Sequence, residues 1–326
     1  MFKRLIVAVA GASLALTALS ACGDSGGGSD SGSGSGKLVL GFSQVGAESG
    51  WRTANTKDIQ EAAKAAGVDL KFSDAQQKQE NQIAAIRSFI KQKVDVIGFS
   101  PVVVTGWDAV LKEAKAADIP VVLTDRAVDS DPSLYVTFLG SDFVEEGKKA
   151  GDWLVNEYKD TKDPVNIIQL EGTVGAAPAI DRKKGFEQAI AANPNLKVIA
   201  SQSGDFTRAK GKEVMQALLK AHKDVDVLFA HNDDMGLGAM QAIEEAGLTP
   251  GKDIKIVTVD AVHDGLQALA DGKFNFVVEC NPLLGGQLMD TAKKVKAGEK
   301  VPQRIVTVET VFDQAKAKEA LPTRKY

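Results

Sequence analysis

The sequence is poor in cysteine, histidine and net charge, and each shortage argues against a class of protein. Its 326 residues include 2 Cys and 3 His, and the histidines lie far apart without a metal-ligand spacing, so we expect no metal and no cofactor. The 39 Lys+Arg nearly balance the 43 Asp+Glu, and the net charge is -4. Nucleic acid is a disfavoured partner, because neutralising phosphates needs a basic surface. Hydrophobic residues make up 44% and charged residues 25%, as in soluble globular proteins.

Long apolar runs are absent except near the N-terminus. Lys3 and Arg4 precede an apolar run at residues 5–19, which is shorter than the roughly 20 residues that cross a bilayer. The segment Leu19-Ser20-Ala21-Cys22 follows, and it resembles a bacterial lipobox. We therefore expect residues 1–21 to be a cleaved lipoprotein signal peptide and Cys22 to carry the lipid. An ordinary signal peptide followed by a chance cysteine is the alternative.

Residues 22–36 continue as Cys22 followed by GDSGGGSDSGSGSG. Gly, Ser and Asp bury little apolar area, so this stretch is expected to be a flexible linker. The protein is then extracytoplasmic and lipid-anchored to the cell membrane, on its periplasmic or outer face. With Cys22 lipidated, only Cys280 remains, so no disulfide forms within the chain. Cys280 is expected to pack as a small hydrophobe.

From residue 37 onward, short β-branched runs alternate with stretches that have apolar residues at a spacing of three to four. Such alternation predicts parallel sheets covered by helices on both faces. Because eleven strands exceed a comfortable single sheet, the pattern indicates an α/β protein with two doubly wound parallel-sheet lobes. The predicted strands are residues 38–43, 70–72, 94–99, 120–124, 135–139, 165–170, 197–201, 225–230, 254–259, 275–279 and 304–308.

Ligands of open parallel sheets lie beyond the carboxyl ends of the strands, so polar residues at these ends are candidates for a site. Carboxylate, guanidinium and carboxamide groups each bond two hydroxyls of a sugar, and aromatic faces stack on its C–H patch. We therefore predict a carbohydrate-binding site without catalytic residues. Its candidates are Glu48, Trp51, Arg52, Asp125, Arg126, Arg182, Phe206, Asn232 and Asp260.

Each candidate also has a structural explanation. Strand-end Asp and Arg residues often cap helices or lie in solvated turns, and Trp51 can serve as a core residue. Arg208 is expected to be a solvated helix charge, and Asp233 and Asp234 are expected to cap the helix beginning near Met235. The run at residues 172–175, GTVG, lacks the Lys and the spacing of a phosphate-binding loop.

Several motifs resemble the sugar-binding proteins of ABC importers of the ribose-binding type. They are LVLGFSQVG, PVVLTDRAV, AIDRKKGF, GDFTRAKGKEVM, FAHNDDMGLGAM, IVTVDAVHDG and GEKV, in family order between residues 37 and 311. Within the family, GFSQVGAESGWR, QQKQENQI and AHNDDM resemble the galactofuranose-binding members.

The resemblance implies two lobes of the type I periplasmic binding fold, joined by three crossing strands, with a sugar in the cleft and hinge closure around it. It implies lobes of residues 37–140 plus 281–309 and of residues 141–280 plus 310–326. By the resemblance, Asp125, Arg126, Arg182, Asn232 and Asp260 bond sugar hydroxyls, and Trp51 and Phe206 stack. Glu48 and Arg52 match the furanose binders. Ribose binders have a Gln where this chain has Cys280, and Glu279 or Asn281 is a candidate substitute.

The function indicated is capture of a monosaccharide, with galactofuranose favoured and other furanose or pyranose aldoses possible, and delivery to ABC permease subunits. A monomer is expected. The alternative is a sugar sensor that presents its closed state to a chemoreceptor or histidine kinase. A lactose-repressor-type regulator is disfavoured by the export signal and the missing DNA-binding headpiece, and an enzyme on this fold would show turnover of a candidate sugar.

Overall fold

The computed structural model describes residues 36–326. The predicted signal peptide, the lipidated Cys22 and the predicted linker up to residue 35 lie outside the described residues. Within the described part of the chain, no helix combines the length and the apolar character that crossing a bilayer requires.

The first sheet contains six parallel strands, numbered along the chain. Its central strands are buried along their whole length, because helices cover both faces. In spatial order the strands are β11 (Arg304–Val306), β5 (Thr137–Gly140), β4 (Val121–Thr124), β3 (Val96–Phe99), β1 (Val39–Gln44) and β2 (Asp69–Asp74).

The second sheet repeats this plan. Five of its strands are parallel, and a two-residue edge strand pairs antiparallel with its neighbour. In spatial order the strands are β12 (Val311–Phe312), β10 (Phe276–Glu279), β9 (Lys255–Asp260), β8 (Val227–Ala230), β6 (Val165–Glu171) and β7 (Leu196–Ser203).

Ten α-helices occur among the described residues. They are α1 (Gly50–Ala65), α2 (Gln79–Gln92), α3 (Asp108–Ala116), α4 (Phe143–Glu157), α5 (Ala177–Ile190), α6 (Arg208–Ala221), α7 (Asp233–Glu245), α8 (His263–Ala270), α9 (Gly285–Lys296) and α10 (Gln314–Ala320). The first sheet with α1, α2, α3 and α9 is called the first lobe below. The second sheet with the other six helices is called the second lobe.

The chain passes between the two lobes three times. The first crossing follows β5 at residues 141–142, the second follows β10 at residues 280–284, and the third joins β11 to β12 at residues 307–310. These passages confirm the predicted architecture of two doubly wound α/β lobes joined by a three-stranded hinge. The residue at which one lobe ends and the other begins stays a prediction.

Some elements differ from the sequence-based prediction. The strand β12 and the helix α10 were not predicted. A strand of two residues, such as β12, is too short to show a strand pattern. The apolar spacing in the sequence predicts a first helix at residues 58–66, whereas α1 begins at Gly50. Ser49 caps α1 by accepting a hydrogen bond from the Arg52 N–H at 3.1 Å. The first turns of α1 are polar, so the helical spacing of apolar residues cannot be recognised there. Likewise the apolar spacing predicts a helix at residues 182–192, whereas α5 begins five residues earlier, at Ala177.

The predicted cap of α7 is wrong. Asn232 is the capping residue, and its Oδ1 accepts from the Met235 N–H at 3.0 Å. Asp233 and Asp234 lie inside the first turn, where their carboxylates bond to other segments of the chain.

Candidate functional site

A hollow between the two lobes collects polar residues that follow several strands. The empty space in it, part of which is open to solvent, is about 290 Å³. All nine residues predicted to bind a carbohydrate line it. The lining residues are Glu48, Ser49, Trp51, Arg52, Asp125, Arg126, Pro178, Arg182, Phe206, Asn232, Asp260 and Cys280.

Arg52, in the first turn of α1, is held by four side chains of the first lobe. Its Nε donates to Glu48 Oε1 at 3.1 Å, and its Nη2 donates to Asp125 Oδ2 at 2.6 Å. Its Nη1 donates to Gln44 at 3.1 Å and Ser100 at 3.3 Å. Burial alone lowers the pKa of Arg52, but the carboxylates of Asp125 and Glu48 outweigh burial and raise it. Arg52 therefore supports this wall of the hollow through a guanidinium whose three nitrogens all donate hydrogen bonds.

Arg126 beside it is less completely bonded. It follows Asp125, whose φ of 60° is rare for a residue other than glycine and is typical of functional turns. Its Nη1 donates to Val102 O and its Nη2 to Glu48 Oε1, both at 3.3 Å. Burial, followed by the nearby Arg52 charge, lowers the pKa of Arg126 to about 10. Arg126 Nε and Glu48 Oε2 have no hydrogen-bond partner among the described residues, so both can bond a ligand.

Arg182 of α5 dominates the opposite wall. Its Nε donates to Glu146 Oε2 at 2.7 Å and its Nη1 donates to His231 O at 2.5 Å. Its Nη2 lies 3.8 Å from Asp260 Oδ1. Burial lowers the pKa of Arg182, but the carboxylate of Glu146 and its other acidic neighbours raise it on balance. Burial raises the pKa of Asp260 well above its usual range. Nη2 and Asp260 together offer a donor and an acceptor to a ligand.

Asp260 is held in a strained turn after β9. Its φ is 125° and that of Ala261 is 65°, both costly for residues with a side chain. The buried carboxylate of Asp233 fixes this turn, because it accepts from Thr258 Oγ1 at 2.5 Å and from the Val262 N–H at 2.8 Å. Burial raises the pKa of Asp233 to about 7. Asp233 is thus a brace for Asp260, which corrects its predicted role as a helix cap.

Two aromatic residues complete the hollow, one from each lobe. Trp51 is buried, and its Nε1 donates to Cys280 O at 2.7 Å across the second crossing. Phe206 lies with its ring centroid 5.2 Å from the Arg126 guanidinium carbon. Asn232 fixes the Phe206 backbone, because its Nδ2 donates to Phe206 O at 3.0 Å. These rings supply apolar faces of fixed orientation beside the polar groups.

Sequence reasoning missed several residues at the site. Ser49, Pro178 and Cys280 line the hollow, and Glu146 supports Arg182 from behind. Cys280 follows β10 directly, so the strand-end rule could have found it. Glu146 lies in a helix and carries no such signal.

Other residues considered at the sequence level lie away from the hollow. Glu279 pairs with Arg324 at 2.8 Å and accepts from the Thr310 N–H at 3.0 Å, and Asn281 does not line the hollow either. The lining of the hollow therefore gives no support to the expected substitution of either residue for the glutamine of ribose binders. Arg208 is half-exposed and pairs with Asp234 and Asp264.

The residues that line the hollow include equal numbers of basic and acidic groups. Three guanidinium groups, of Arg52, Arg126 and Arg182, face the three carboxyl groups of Glu48, Asp125 and Asp260. A charged ligand would upset this balance in a buried site, whereas a neutral molecule with several hydroxyls satisfies both donors and acceptors. The geometry therefore favours a neutral polyhydroxylated ligand.

Comparison with known proteins gives consistent matches. The model of the periplasmic binding protein domain matches residues 40–300. The galactofuranose-binding protein YtfQ of Escherichia coli (strain K12) is 49% identical over 331 residues, covering 100% of this chain and 99% of that protein. A crystal structure from Mycobacterium smegmatis in complex with β-D-fucofuranose is 68% identical, with a TM-score of 0.88, and the match covers 89% of this chain and 95% of that one.

A further solved structure has a similar fold over most of its length. It is the periplasmic binding component of the arabinose ABC transporter from Shewanella sp. ANA-3, bound to α- and β-L-arabinofuranose. Its sequence is 52% identical, its TM-score is 0.85, and the match covers 88% of this chain and 96% of that chain.

Proposed function

The chain belongs to the periplasmic binding protein family, and on this premise we propose that it captures a monosaccharide outside the cytoplasm and delivers it to the permease of an ABC importer. Galactofuranose is the favoured sugar. Hinge closure of the two lobes around the sugar gives the permease a form that it distinguishes from the empty protein.

The main support for this proposal is the set of residues that line the hollow. Three buried guanidinium groups and three carboxyl groups meet there from both lobes, and Glu48 Oε2 and Arg126 Nε have no hydrogen-bond partner among the described residues. Buried polar atoms without partners cost free energy. Hydroxyl groups both donate and accept, so a sugar can remove this cost on both walls at once.

The preference for a furanose ring rests on three relatives. One is named for binding galactofuranose, and two were solved with fucofuranose or arabinofuranose bound. In the proposed complex, Glu48, Asp125, Arg126, Arg182, Asn232 and Asp260 bond hydroxyls of the sugar. Trp51 and Phe206 stack on its carbon–hydrogen faces, and Arg52 holds the acidic residues of the first wall.

The lobe boundaries and the membrane anchor are also proposals. The strands of the first lobe fall at residues 39–140 and 304–306, and those of the second fall at residues 165–279 and 311–312. This supports lobes of residues 37–140 plus 281–309 and of residues 141–280 plus 310–326. We further propose that Cys22 carries a lipid anchor and that the protein acts as a monomer.

Transport is favoured over the other functions considered. The relative from Shewanella sp. ANA-3 is a component of an ABC transporter, which disfavours a role as a chemoreceptor or kinase sensor. The relatives named above are described as binding proteins. We accordingly propose that the chain binds its sugar without converting it.

Isothermal titration calorimetry tests the proposal directly. L-Arabinose, D-fucose and D-galactose, which all supply furanose rings by mutarotation, are titrated into the full-length protein, with myo-inositol as a control polyol. Saturable binding of at least one of these sugars, lost in the Arg182→Ala variant, is expected. Absence of binding by all three would reject the proposed function. Recovery of a chemically altered sugar would reject the view that the chain is not an enzyme.

A further inference from the structure

Glu146 contacts Arg182, a residue that lines the hollow, because two helices pack closely against each other. It lies in the first turn of α4, directly after the first crossing. A Cβ on Gly147 would lie 2.1 Å from Arg182 O, and a Cβ on Gly185 would lie 1.9 Å from Val144 O. Because both positions are glycine, α4 and α5 approach closely enough for Glu146 Oε2 to accept from Arg182 Nε at 2.7 Å.

Behind Glu146, one carboxylate ties the three crossings together. Glu309 Oε1, in the third crossing, accepts from Ser141 Oγ in the first crossing. It accepts from the Asn281 N–H in the second crossing at 3.0 Å, and from Thr307 Oγ1 in the third at 3.0 Å. Glu309 is therefore the point at which all three passages between the lobes meet.

Glu146 and Glu309 lie close together beside Cys280. Carboxyl oxygens of the two residues and Cys280 Sγ all lie within 4.8 Å of one another. Glu146 Oε1 has no hydrogen-bond partner among the described residues. Two ionised carboxylates in such a setting repel each other, and a proton on one of them removes the repulsion.

The electrostatic surroundings place that proton on Glu146. Burial raises the pKa of Glu146 to about 8, Arg182 opposes this shift and Glu309 adds to it. The titratable groups that face Glu146 from the neighbouring elements are Arg182, Asp260, Cys280 and Glu309. Arg182 is the only cation of this set, and its Nε donates a hydrogen bond to Glu146 Oε2. Oε1 therefore remains the oxygen that carries the proton.

We propose that Glu146 is a positioning residue that acts as an uncharged acid: Oε2 fixes Arg182 at the pocket, and the protonated Oε1 faces Glu309 at the hinge. This inference rests on the proposed sugar-binding function. It links the ligand-binding guanidinium to the three crossings through one neutral carboxyl group. When Glu146 ionises, a second negative charge faces Glu309, and the closed arrangement loses stability relative to the open one.

Three variants of the full-length protein test the inference. Glu146→Gln keeps an acceptor for Arg182 and offers N–H donors to Glu309, so it imitates the protonated acid. Glu146→Ala removes both. Glu145→Gln is the matched control, because Glu145 is the neighbouring residue of α4 and is exposed. Circular dichroism confirms that each variant folds.

The first readout is thermal unfolding without sugar between about pH 5 and about pH 9. The pKa of Glu146 is raised in the folded protein, so the folded state keeps a proton that the unfolded chain releases. Wild type should therefore lose stability relative to Glu146→Gln as the pH rises from about 4.5 towards about 8. Parallel curves for wild type and Glu146→Gln would show that Glu146 is not the protonated group and would overturn the inference.

The second readout is calorimetric affinity for the best-binding of L-arabinose, D-fucose and D-galactose. Wild type and Glu145→Gln should lose roughly tenfold in affinity between about pH 7 and about pH 9.5, since an essential acid is removed. Glu146→Gln should bind within about threefold of wild type at pH 7 and lose clearly less affinity than wild type over the same pH range, and Glu146→Ala should be at least about tenfold weaker. An equal pH dependence in Glu146→Gln, or full affinity in Glu146→Ala, would overturn the inference. Failure of wild type to bind any sugar would instead reject the proposed function, and the unfolding curves would still decide whether Glu146 holds the proton.

Discussion

The backbone N–H of Gly50 donates to Asp234 Oδ2 at 2.7 Å and joins the two lobes beside the hollow. Gly50 is the first residue of α1 in the first lobe, and Asp234 lies in the first turn of α7 in the second. A carboxylate at the N-terminus of a helix is stabilised by the helix dipole and by the exposed N–H groups. Separation of the lobes would break this bond, so Asp234 stabilises the closed arrangement without lining the hollow.

Replacement of Asp234 by Ala should therefore weaken sugar binding although Asp234 does not contact the proposed ligand. We expect a loss of roughly tenfold in affinity, equivalent to about 1.4 kcal/mol, because a hydrogen bond to a charged group contributes on this scale. Calorimetry measures the affinity, and small-angle X-ray scattering measures lobe closure. Asp264→Ala is the control, since Asp264 pairs with the same Arg208 at 3.1 Å but not with Gly50. Wild-type affinity in Asp234→Ala would show that this contact does not favour closure.

Trp51 should report ligand binding by its fluorescence. It is the tryptophan that lines the hollow, whereas Trp107 lies in the core of the first lobe and Trp153 stacks on Phe276 at 5.3 Å. A sugar that packs on the indole changes its surroundings, so Trp51→Phe should abolish the ligand-induced change in emission. Trp153→Phe should retain that change. A full change in Trp51→Phe would place the sugar away from this ring.

Gly172 sets the position of Phe206. A Cβ at residue 172 would lie 1.8 Å from Phe206 Cζ, far inside any real contact. Gly172→Ala should displace the aromatic ring from its place beside Arg126 and weaken sugar binding by at least about tenfold, since overpacking forces a shift that commonly costs 1–3 kcal/mol. Gly286→Ala is the control, because a Cβ at Gly286 meets no atom within 4 Å. Unchanged affinity in Gly172→Ala would mean that the placement of Phe206 does not matter for binding.

Much of the fold and of the site could be predicted from the sequence, and the reason is physical. Parallel strands are buried on both faces and read as apolar runs, and their carboxyl ends converge on one edge. This rule brought Asp125, Asn232 and Asp260 into the predicted site, although they are far apart in the chain.

The remaining features depend on packing that leaves no local signal. Glu146 approaches Arg182 only because two glycines let α4 and α5 approach closely. Asp233 reads as a helix-capping residue, and its bonds to Thr258 and Val262 depend on the turn after β9. The hinge contacts of Glu309 join three segments that are distant in sequence, so no pattern in any one of them reveals the cluster.

Membrane attachment is predicted from the sequence alone, because Cys22 lies outside the described residues. Replacement of Cys22 by Ser removes the thiol that the lipobox would lipidate, so the protein should move from the membrane fraction to the soluble fraction. Cell fractionation and immunoblotting measure this distribution. Cys280→Ser is the control, since Cys280 is buried in the fold, and it should leave attachment unchanged. Retention of Cys22→Ser on membranes would contradict the lipid anchor.

The central claim is that the hollow binds a five-membered sugar ring, and calorimetry with two ring-locked polyols tests it most directly. 1,4-Anhydro-D-galactitol and 1,5-anhydro-D-galactitol each carry four hydroxyl groups, on a furanose and a pyranose ring respectively, and neither can change its ring size. We expect the five-membered compound to bind at least about tenfold more tightly, because a misplaced hydroxyl leaves buried partners unpaired. We also expect Arg182→Ala to abolish this binding. Equal or tighter binding of the six-membered compound would contradict the account.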